Sequence, residues 1–229
     1  MRVSTLSIRL DFPNANWPKV RLLVDGEERL ALRGYSEPND PADILDTGAL
    51  LPTDQPRRIA FYGCDCGTFG CANVAGLINR RGERIEWTDF VSVTGVYNGA
   101  LPDPEDEPDP VSSRTWDDDL PDPERHRLPT FTFDADQYLE VVRRAMADRS
   151  WETRPRAVLR HLKDSRPDLT LWAARTTDEI TTYQYVADGY VTTDLTVPPG
   201  DPERLAASLR ALLDDGVRPR QIAAEGLWR

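Results

Sequence analysis

The sequence predicts an α+β fold with antiparallel β meanders and with its helices in the C-terminal half. Apolar and polar residues alternate through much of the first hundred residues, as they do in strands with one buried face. Two-residue turn signals, Asp25-Gly26 and Arg81-Gly82, separate several of these runs. After residue 134, apolar residues recur at the spacing of amphipathic helices. Strands and helices in separate runs are typical of α+β proteins.

The elements predicted before residue 100 are mainly strands. In the Asp25-Gly26 turn, glycine accepts the positive φ of a hairpin, so Leu30 and Leu32 are expected on the returning strand. Asp40 followed by Pro41 predicts a helix start, because a capping residue precedes proline at the first helical position. In order, these elements are strands at residues 6–12, 20–24 and 30–32, a short helix from residue 41, and strands at 59–63, 71–79 and 84–93.

The elements predicted after residue 127 include most of the helices. Asp134 or Asp136 can cap the first of them, and Asp201-Pro202 predicts the start of the last long one. Asp188-Gly189 marks a turn between two strands. In order, these elements are a helix ending at residue 148, a helix from residue 153, strands at 169–174, 180–186 and 190–197, a helix that starts at residue 202 and is ended by Gly216, and a short helical tail after residue 219.

The chain is predicted to divide into three segments. Residues 1–100 form a β-rich subdomain that carries all three cysteines, and residues 128–229 form a C-terminal α+β subdomain. Residues 101–127 differ from both, with ten acidic residues, six prolines and, before Arg127, only two basic residues. Proline and like-charge repulsion both oppose a packed structure, so this segment is expected to be an acidic connector.

The cysteines lie in one short loop, Cys64-x-Cys66-Gly67-x-x-Gly70-Cys71. In a strand, Cys64 and Cys66 point to the same face, and Cys71 returns across the turn. Gly67 and Gly70 allow the loop to bend tightly. The three sulfur atoms are therefore predicted to converge.

Three interpretations of the cysteine loop stay open. Three thiolates and one imidazole can bind Zn²⁺ in a tetrahedron, and His126, at the end of the connector, can fold back as the fourth ligand. Thiol chemistry is the second, although Asp65 adds a negative charge that opposes a thiolate. The third is packing alone, because cysteine is a small and often buried hydrophobe.

The charge of the chain bears on its partners. The formal net charge is -11 and the isoelectric point about 4.7, which argues against binding to a nucleic-acid backbone. The same charge suits a protein partner with a basic surface. Within the connector, Trp116 is an aromatic residue beside three carboxylates, so the candidate partner-binding residues are Trp116, Asp117, Asp118 and Asp119.

The sequence predicts a cytoplasmic protein without a membrane partner. It has no run of about 20 apolar residues, as a membrane span requires, and its amino terminus lacks the apolar core of a signal peptide. In the cytoplasm thiols stay reduced, which favours metal or redox chemistry over a structural disulfide.

These observations favour a non-catalytic protein-binding or regulatory protein, of the type of immunity proteins, whose acidic surface engages a basic partner. None of the common nucleophile, phosphate-binding, zinc-protease or dinucleotide motifs occurs in the sequence. A regulator that uses Cys64, Cys66 and Cys71 to bind structural zinc or as thiols is the alternative. An enzyme of an unrecognised class is the second alternative.

Several motifs resemble those of an uncharacterised, mostly actinobacterial family of proteins. They are the early Val24-Asp25-Gly26 hairpin, the C-x-C-G-x-x-G-C loop, the strand with Trp87 and Phe90, and a helix start with Phe131, Phe133, Asp134, Gln137 and Tyr138. The resemblance covers roughly residues 20–145. It implies the same order of segments and, because that family has no known activity, implies no function.

Overall fold

A computed structural model describes residues 2–14, 16–67, 71–97, 99–102, 128–169, 172–174, 176–186 and 189–228. Their fold confirms the predicted α+β class, since the sheets are antiparallel and the helices lie mainly in the C-terminal half. The chain divides into two compact units. The first comprises Met1–Pro13 and Pro18–Arg149, and the second Asn14–Trp17 and Ser150–Arg229.

The first unit contains a two-stranded and a five-stranded sheet. In chain order its elements are β1 (Leu6–Asp11), β2 (Lys19–Val24), β3 (Glu37–Pro38), α1 (Pro41–Ile44), β4 (Arg57–Gly63), β5 (Asn73–Arg81), β6 (Arg84–Val93), β7 (Phe131–Asp134) and α2 (Ala135–Ala147). β1 pairs with β2, and the larger sheet follows chain order as β3-β4-β5-β6-β7. Every pairing between these strands is antiparallel, so the larger sheet is a meander.

Trp87 on β6 is the centre of the main hydrophobic core in this unit. Its side chain is fully buried, and its ring centroid lies 4.7 Å from that of Phe61 and 4.8 Å from that of Phe133. The indole Nε1 donates to the hydroxyl of Tyr138 on α2 at 3.1 Å. That hydroxyl in turn donates to the Leu50 carbonyl at 2.8 Å. The core thus joins α2 to the sheet through aromatic packing and the Trp87–Tyr138 bond, and to the segment after α1 through the Tyr138–Leu50 bond.

Residues 128–149, which the sequence grouped with the C-terminal segment, belong to the first unit. The reason is β7, whose Phe133 pairs with Ile85 of β6 as part of the five-stranded sheet. The predicted helix follows directly, and Asp134 caps it by accepting from the amide of Gln137 at 3.1 Å. The first unit therefore continues past the acidic connector to Arg149.

The expected strand at residues 30–32 does not form as a partner of β2. After the Asp25-Gly26 turn, the pairing ends at an isolated bridge between Val24 and Glu27. β2 pairs instead with β1, with Leu6 opposite Val24. Leu30 is nevertheless fully buried in the core.

The second unit packs helices against a three-stranded sheet. Its elements are α3 (Arg154–Ser165), β8 (Trp172–Ala173), β9 (Glu179–Val186), β10 (Gly189–Thr196), α4 (Pro202–Asp214) and α5 (Pro219–Glu225), with strand order β10-β9-β8. Asp201 caps α4 as expected, and its carboxylate accepts from the amide of Arg204 at 3.0 Å. The core of this unit includes Val158, Leu162, Ile180, Leu195 and Leu209. No helix among the described residues of the chain has the length and apolar character needed to cross a membrane.

Candidate metal centre

The cysteine loop connects β4 to β5, where the strand ladder ends. Gly63 and Asn73 form the last strand pair, and the amide of Cys64 extends the ladder by donating to the Ala72 carbonyl at 2.8 Å. The amide of Gly67 then donates to the Cys64 carbonyl at 3.0 Å, which closes a tight turn. Gly67 adopts a φ of 76°, a conformation that glycine accepts without steric cost.

The three cysteine sulfur atoms converge as the sequence predicts. Cys64, Cys66 and Cys71 are free thiols whose Sγ atoms all lie within 4.8 Å of one another. Thiolates bound to one tetrahedral Zn²⁺ at about 2.3 Å would lie about 3.8 Å apart. Rotations of the side chains that move each sulfur by an ångström or less would close this difference. The three sulfur atoms are therefore close enough together to hold one metal ion.

The exposure of the cysteines does not fit the packing interpretation. Cys66 and Cys71 are exposed, and Cys64 is half-buried. None of the three belongs to a hydrophobic core cluster. A cysteine that serves only as a small hydrophobe is normally buried, so packing alone does not account for the loop.

The neighbouring thiols disfavour ionisation of Cys71. Hydrogen bonds with the thiols of Cys66 and Cys64, together with repulsion from these groups, raise the pKa of Cys71 to about 11. A reactive cysteine requires the opposite shift, towards a lowered pKa. A bound cation would supply the charge that the cluster lacks, because metal coordination deprotonates a thiol outright.

Asp65, between the first two cysteines, ties the loop to the turn at residues 34–36. Its carboxylate accepts from the amide of Gly34 at 3.0 Å and from the amide and hydroxyl of Ser36 at 2.6 and 2.7 Å. Its own amide donates to the Gly34 carbonyl at 3.1 Å. Hydrogen bonding by Ser36, through its hydroxyl and then its amide, and by Gly34 holds the pKa of the Asp65 carboxyl below its ordinary value.

Sequence reasoning missed this anchor. It treated Asp65 only as a charge near the thiols, and the contacts to Gly34 and Ser36 span 31 and 29 residues. The sequence contains one indirect signal, the glycine at position 34, which adopts a φ of 89°. A glycine in a turn indicates an unusual backbone conformation at that position, but it does not indicate which distant residue contacts the turn.

The other predicted site residues lie outside the described residues. They are His126, the predicted fourth metal ligand, and the predicted partner-binding residues Trp116, Asp117, Asp118 and Asp119. Among the residues that the structure describes, the three cysteines are the only cluster of His, Cys, Asp and Glu side chains that could hold a metal ion.

The second unit has an open cavity of about 280 Å³ beside β10 and α5. Leu195, Pro198, Ile222 and Trp228 supply most of its apolar lining. Asp194 is its one carboxylate, and it accepts a hydrogen bond from the Thr181 hydroxyl at 2.7 Å. Among the described residues that line it, Asp194 and Thr196 carry the polar side chains.

Comparison of the chain with protein-family models, with curated proteins and with solved structures finds no match. The resemblance to an actinobacterial family therefore stays a prediction. The features of the chain that point to a function are the chemistry of the cysteine loop and the charge of the sequence.

Proposed function

We propose that the protein is a non-catalytic, metal-binding regulator that holds one Zn²⁺ at Cys64, Cys66 and Cys71. The observation that carries this proposal is the convergence of three sulfur atoms within 4.8 Å at the end of a hydrogen-bonded strand pair. Thiolate ligands favour zinc and other soft metal ions over magnesium or calcium. The thiols must stay reduced, which is consistent with a cytoplasmic location.

The proposed zinc site has four ligands, with an imidazole completing the three thiolates. His126 is the candidate for the fourth ligand because it is one of only two histidines in the sequence and ends the acidic connector. In this arrangement, zinc would link the connector to the strand pair that carries the cysteines. A set of three cysteines and one histidine is a common structural zinc site.

Native mass spectrometry of protein purified without chelator tests this proposal. We expect the mass of one zinc ion above that of the chain, lost on denaturation, and no such mass in Cys66→Ser. Protein that stays at the bare, fully reduced mass after addition of Zn²⁺ would overturn the proposal. A mass two hydrogens below the reduced chain would instead indicate a disulfide and support thiol chemistry.

The second candidate function is binding of a basic protein partner through residues 101–127, in the manner of an immunity protein. The distribution of charge supports it, because this segment contains ten of the 39 acidic residues and only three of the 28 basic ones. A concentrated acidic segment accelerates association with a basic surface in a salt-dependent way. Trp116 would provide the aromatic anchor, and Asp117, Asp118 and Asp119 the charge.

The test of this candidate begins by capturing a partner on the immobilised protein and identifying it. Its affinity is then measured at low and high salt for the wild type and for a triple Asp→Asn variant at residues 117–119. We expect weaker binding and a shallower salt dependence in the variant. Unchanged affinity and salt dependence, also after replacement of residues 101–127 by a Gly/Ser linker of equal length, would exclude this segment as the binding surface.

A further inference from the structure

Asp65 lies between two of the proposed metal ligands and connects them to a separate part of the first unit. Three hydrogen bonds to its carboxylate and one from its amide link it to Gly34 and Ser36. Gly34 lies in the turn between the bridged residues Leu32 and Tyr35, and Ser36 directly precedes β3, whose Glu37 pairs with Gly63 at the end of β4. The residues before and after Cys64 thus both contact the segment from Gly34 to Glu37.

These contacts fix the cysteine loop from a second side. On one side, the amide of Cys64 bonds to the Ala72 carbonyl and continues the ladder of β4 and β5. On the other side, Asp65 bonds to Gly34 and Ser36. The second attachment adds to the strand ladder at Cys64 and to the turn that Gly67 closes, and it reduces the ordering that binding of a metal ion must supply.

Gly34 is suited to this contact by its backbone. With its φ of 89°, the Gly34 amide donates to the Asp65 carboxylate while the Gly34 carbonyl accepts from the Asp65 amide. Other residues rarely adopt this conformation, and no atom within 4 Å would obstruct a Cβ there. Position 34 therefore favours glycine because of the backbone conformation of the turn, and not because a side chain would lack space.

We propose that Asp65 is a positioning residue for the metal centre, and that metal binding in turn stabilises the turn at residues 34–36. The proposal rests on the proposed metal binding by Cys64, Cys66 and Cys71. Coupling between two sites is reciprocal. If the contacts of Asp65 with residues 34–36 strengthen metal binding, metal binding must therefore stabilise those contacts by the same free energy. Arg33 and Ser36 are exposed, so the state of the metal centre would reach the protein surface at this turn.

The experiment compares Zn²⁺ affinity and amide hydrogen exchange in matched variants of the full chain. Asp65→Asn removes the charge of the anchor, and Ser36→Ala removes one of its three donors. Asp25→Asn is the control, because Asp25 also uses its carboxylate to anchor a neighbouring segment, through the amide of Thr5 at 2.9 Å and the hydroxyl of Ser4 at 3.2 Å. Affinity is measured by competition with a chromophoric chelator, and exchange is followed at Gly34 and Ser36 with and without Zn²⁺.

We expect Asp65→Asn to weaken Zn²⁺ binding at least about tenfold, the effect of losing a residue that orients metal ligands. Ser36→Ala should weaken it about fivefold, the contribution of one hydrogen bond. In the wild type, Zn²⁺ should slow exchange of the Gly34 and Ser36 amides, and this slowing should disappear in Asp65→Asn. Asp25→Asn should bind Zn²⁺ within about twofold of the wild type.

Two results would overturn the inference while leaving the metal site in place. One is wild-type affinity in both Asp65→Asn and Ser36→Ala; the other is exchange at Gly34 and Ser36 that Zn²⁺ does not alter. If Asp65→Asn fails to fold, Ser36→Ala decides, since it keeps the carboxylate and both amide donors. Failure of the wild type to bind Zn²⁺ at all would overturn the proposed function, and the inference with it.

Discussion

Replacing Tyr138 by Phe tests how much the two buried hydrogen bonds of its hydroxyl stabilise the packing of α2 against β6 and against the segment after α1. The hydroxyl of Tyr138 accepts from the indole of Trp87 and donates to the carbonyl of Leu50, and all three residues are fully buried. Burial also raises the pKa of Tyr138, so the hydroxyl stays protonated and can donate at neutral pH. The substitution keeps the ring and removes both bonds.

The expected loss follows from the groups that are left without a partner. A buried donor or acceptor that loses its hydrogen bond costs about 1–3 kcal/mol, and this variant leaves one of each. Relaxation around the missing oxygen would recover part of that cost, so we expect the free energy of unfolding to fall by about 2–4 kcal/mol.

Urea unfolding followed by tryptophan fluorescence measures this loss. Trp87→Phe and the double variant complete a double-mutant cycle that isolates the indole–hydroxyl bond from the cost of removing the larger indole ring. A loss below about 1 kcal/mol in Tyr138→Phe, or a coupling energy near zero, would contradict the view that these bonds stabilise the attachment of α2.

Two further predictions concern packing and pH. A Cβ at Gly76 would lie 2.7 Å from the Phe90 ring, so Gly76→Ala should lower the free energy of unfolding by about 1–3 kcal/mol. At Gly99 the atom nearest to an added Cβ would be 3.4 Å away, so Gly99→Ala should lower the free energy of unfolding by less. Equal effects of the two substitutions in chemical denaturation would count against the packing argument. Hydrogen bonds from the amide of Thr5 and the hydroxyl of Ser4, together with Arg2, hold the pKa of Asp25 below its ordinary value of 3.8. Its stabilising contribution is therefore present above that value and lost as pH falls below it, so acid unfolding curves of Asp25→Asn should depend less on pH than those of the wild type. Parallel curves would show that Asp25 contributes nothing to acid sensitivity.

The structure explains which elements the sequence could predict. β5 and β6 follow from local signals, because apolar residues alternate on both sides of the Arg81-Gly82 turn. β7 does not, because its four residues precede a strong helix signal and form a strand by pairing with β6, which is distant in the sequence. The boundary of the first unit depended on this pairing, and a single sequence does not specify which strands pair over such a distance.

Some features of the candidate site follow from local sequence signals, and others depend on residues that are far apart in the sequence. The convergence of Cys64, Cys66 and Cys71 was predictable, since it needs only strand alternation and one turn. The contact of Asp65 with Ser36 was not, because it depends on where the turn after β2 is placed by the core. The sequence also did not predict that Cys66 and Cys71 are exposed to solvent, and this exposure weakens the packing interpretation of the cysteines.

If the cysteine loop binds a metal ion as proposed, its surroundings favour a regulatory role for that ion over a role in folding. The core around Trp87 includes side chains from β1, β2, β4, β5, β6, β7 and α2 and contains none of the cysteines. Small zinc domains depend on the metal because they lack such a core, whereas this unit buries a continuous one of its own. Loss of a bound metal ion would therefore loosen the loop and the turn that Asp65 attaches to it, while the sheets keep their structure. A site with these properties can change a local surface when metal binds or leaves without unfolding the protein.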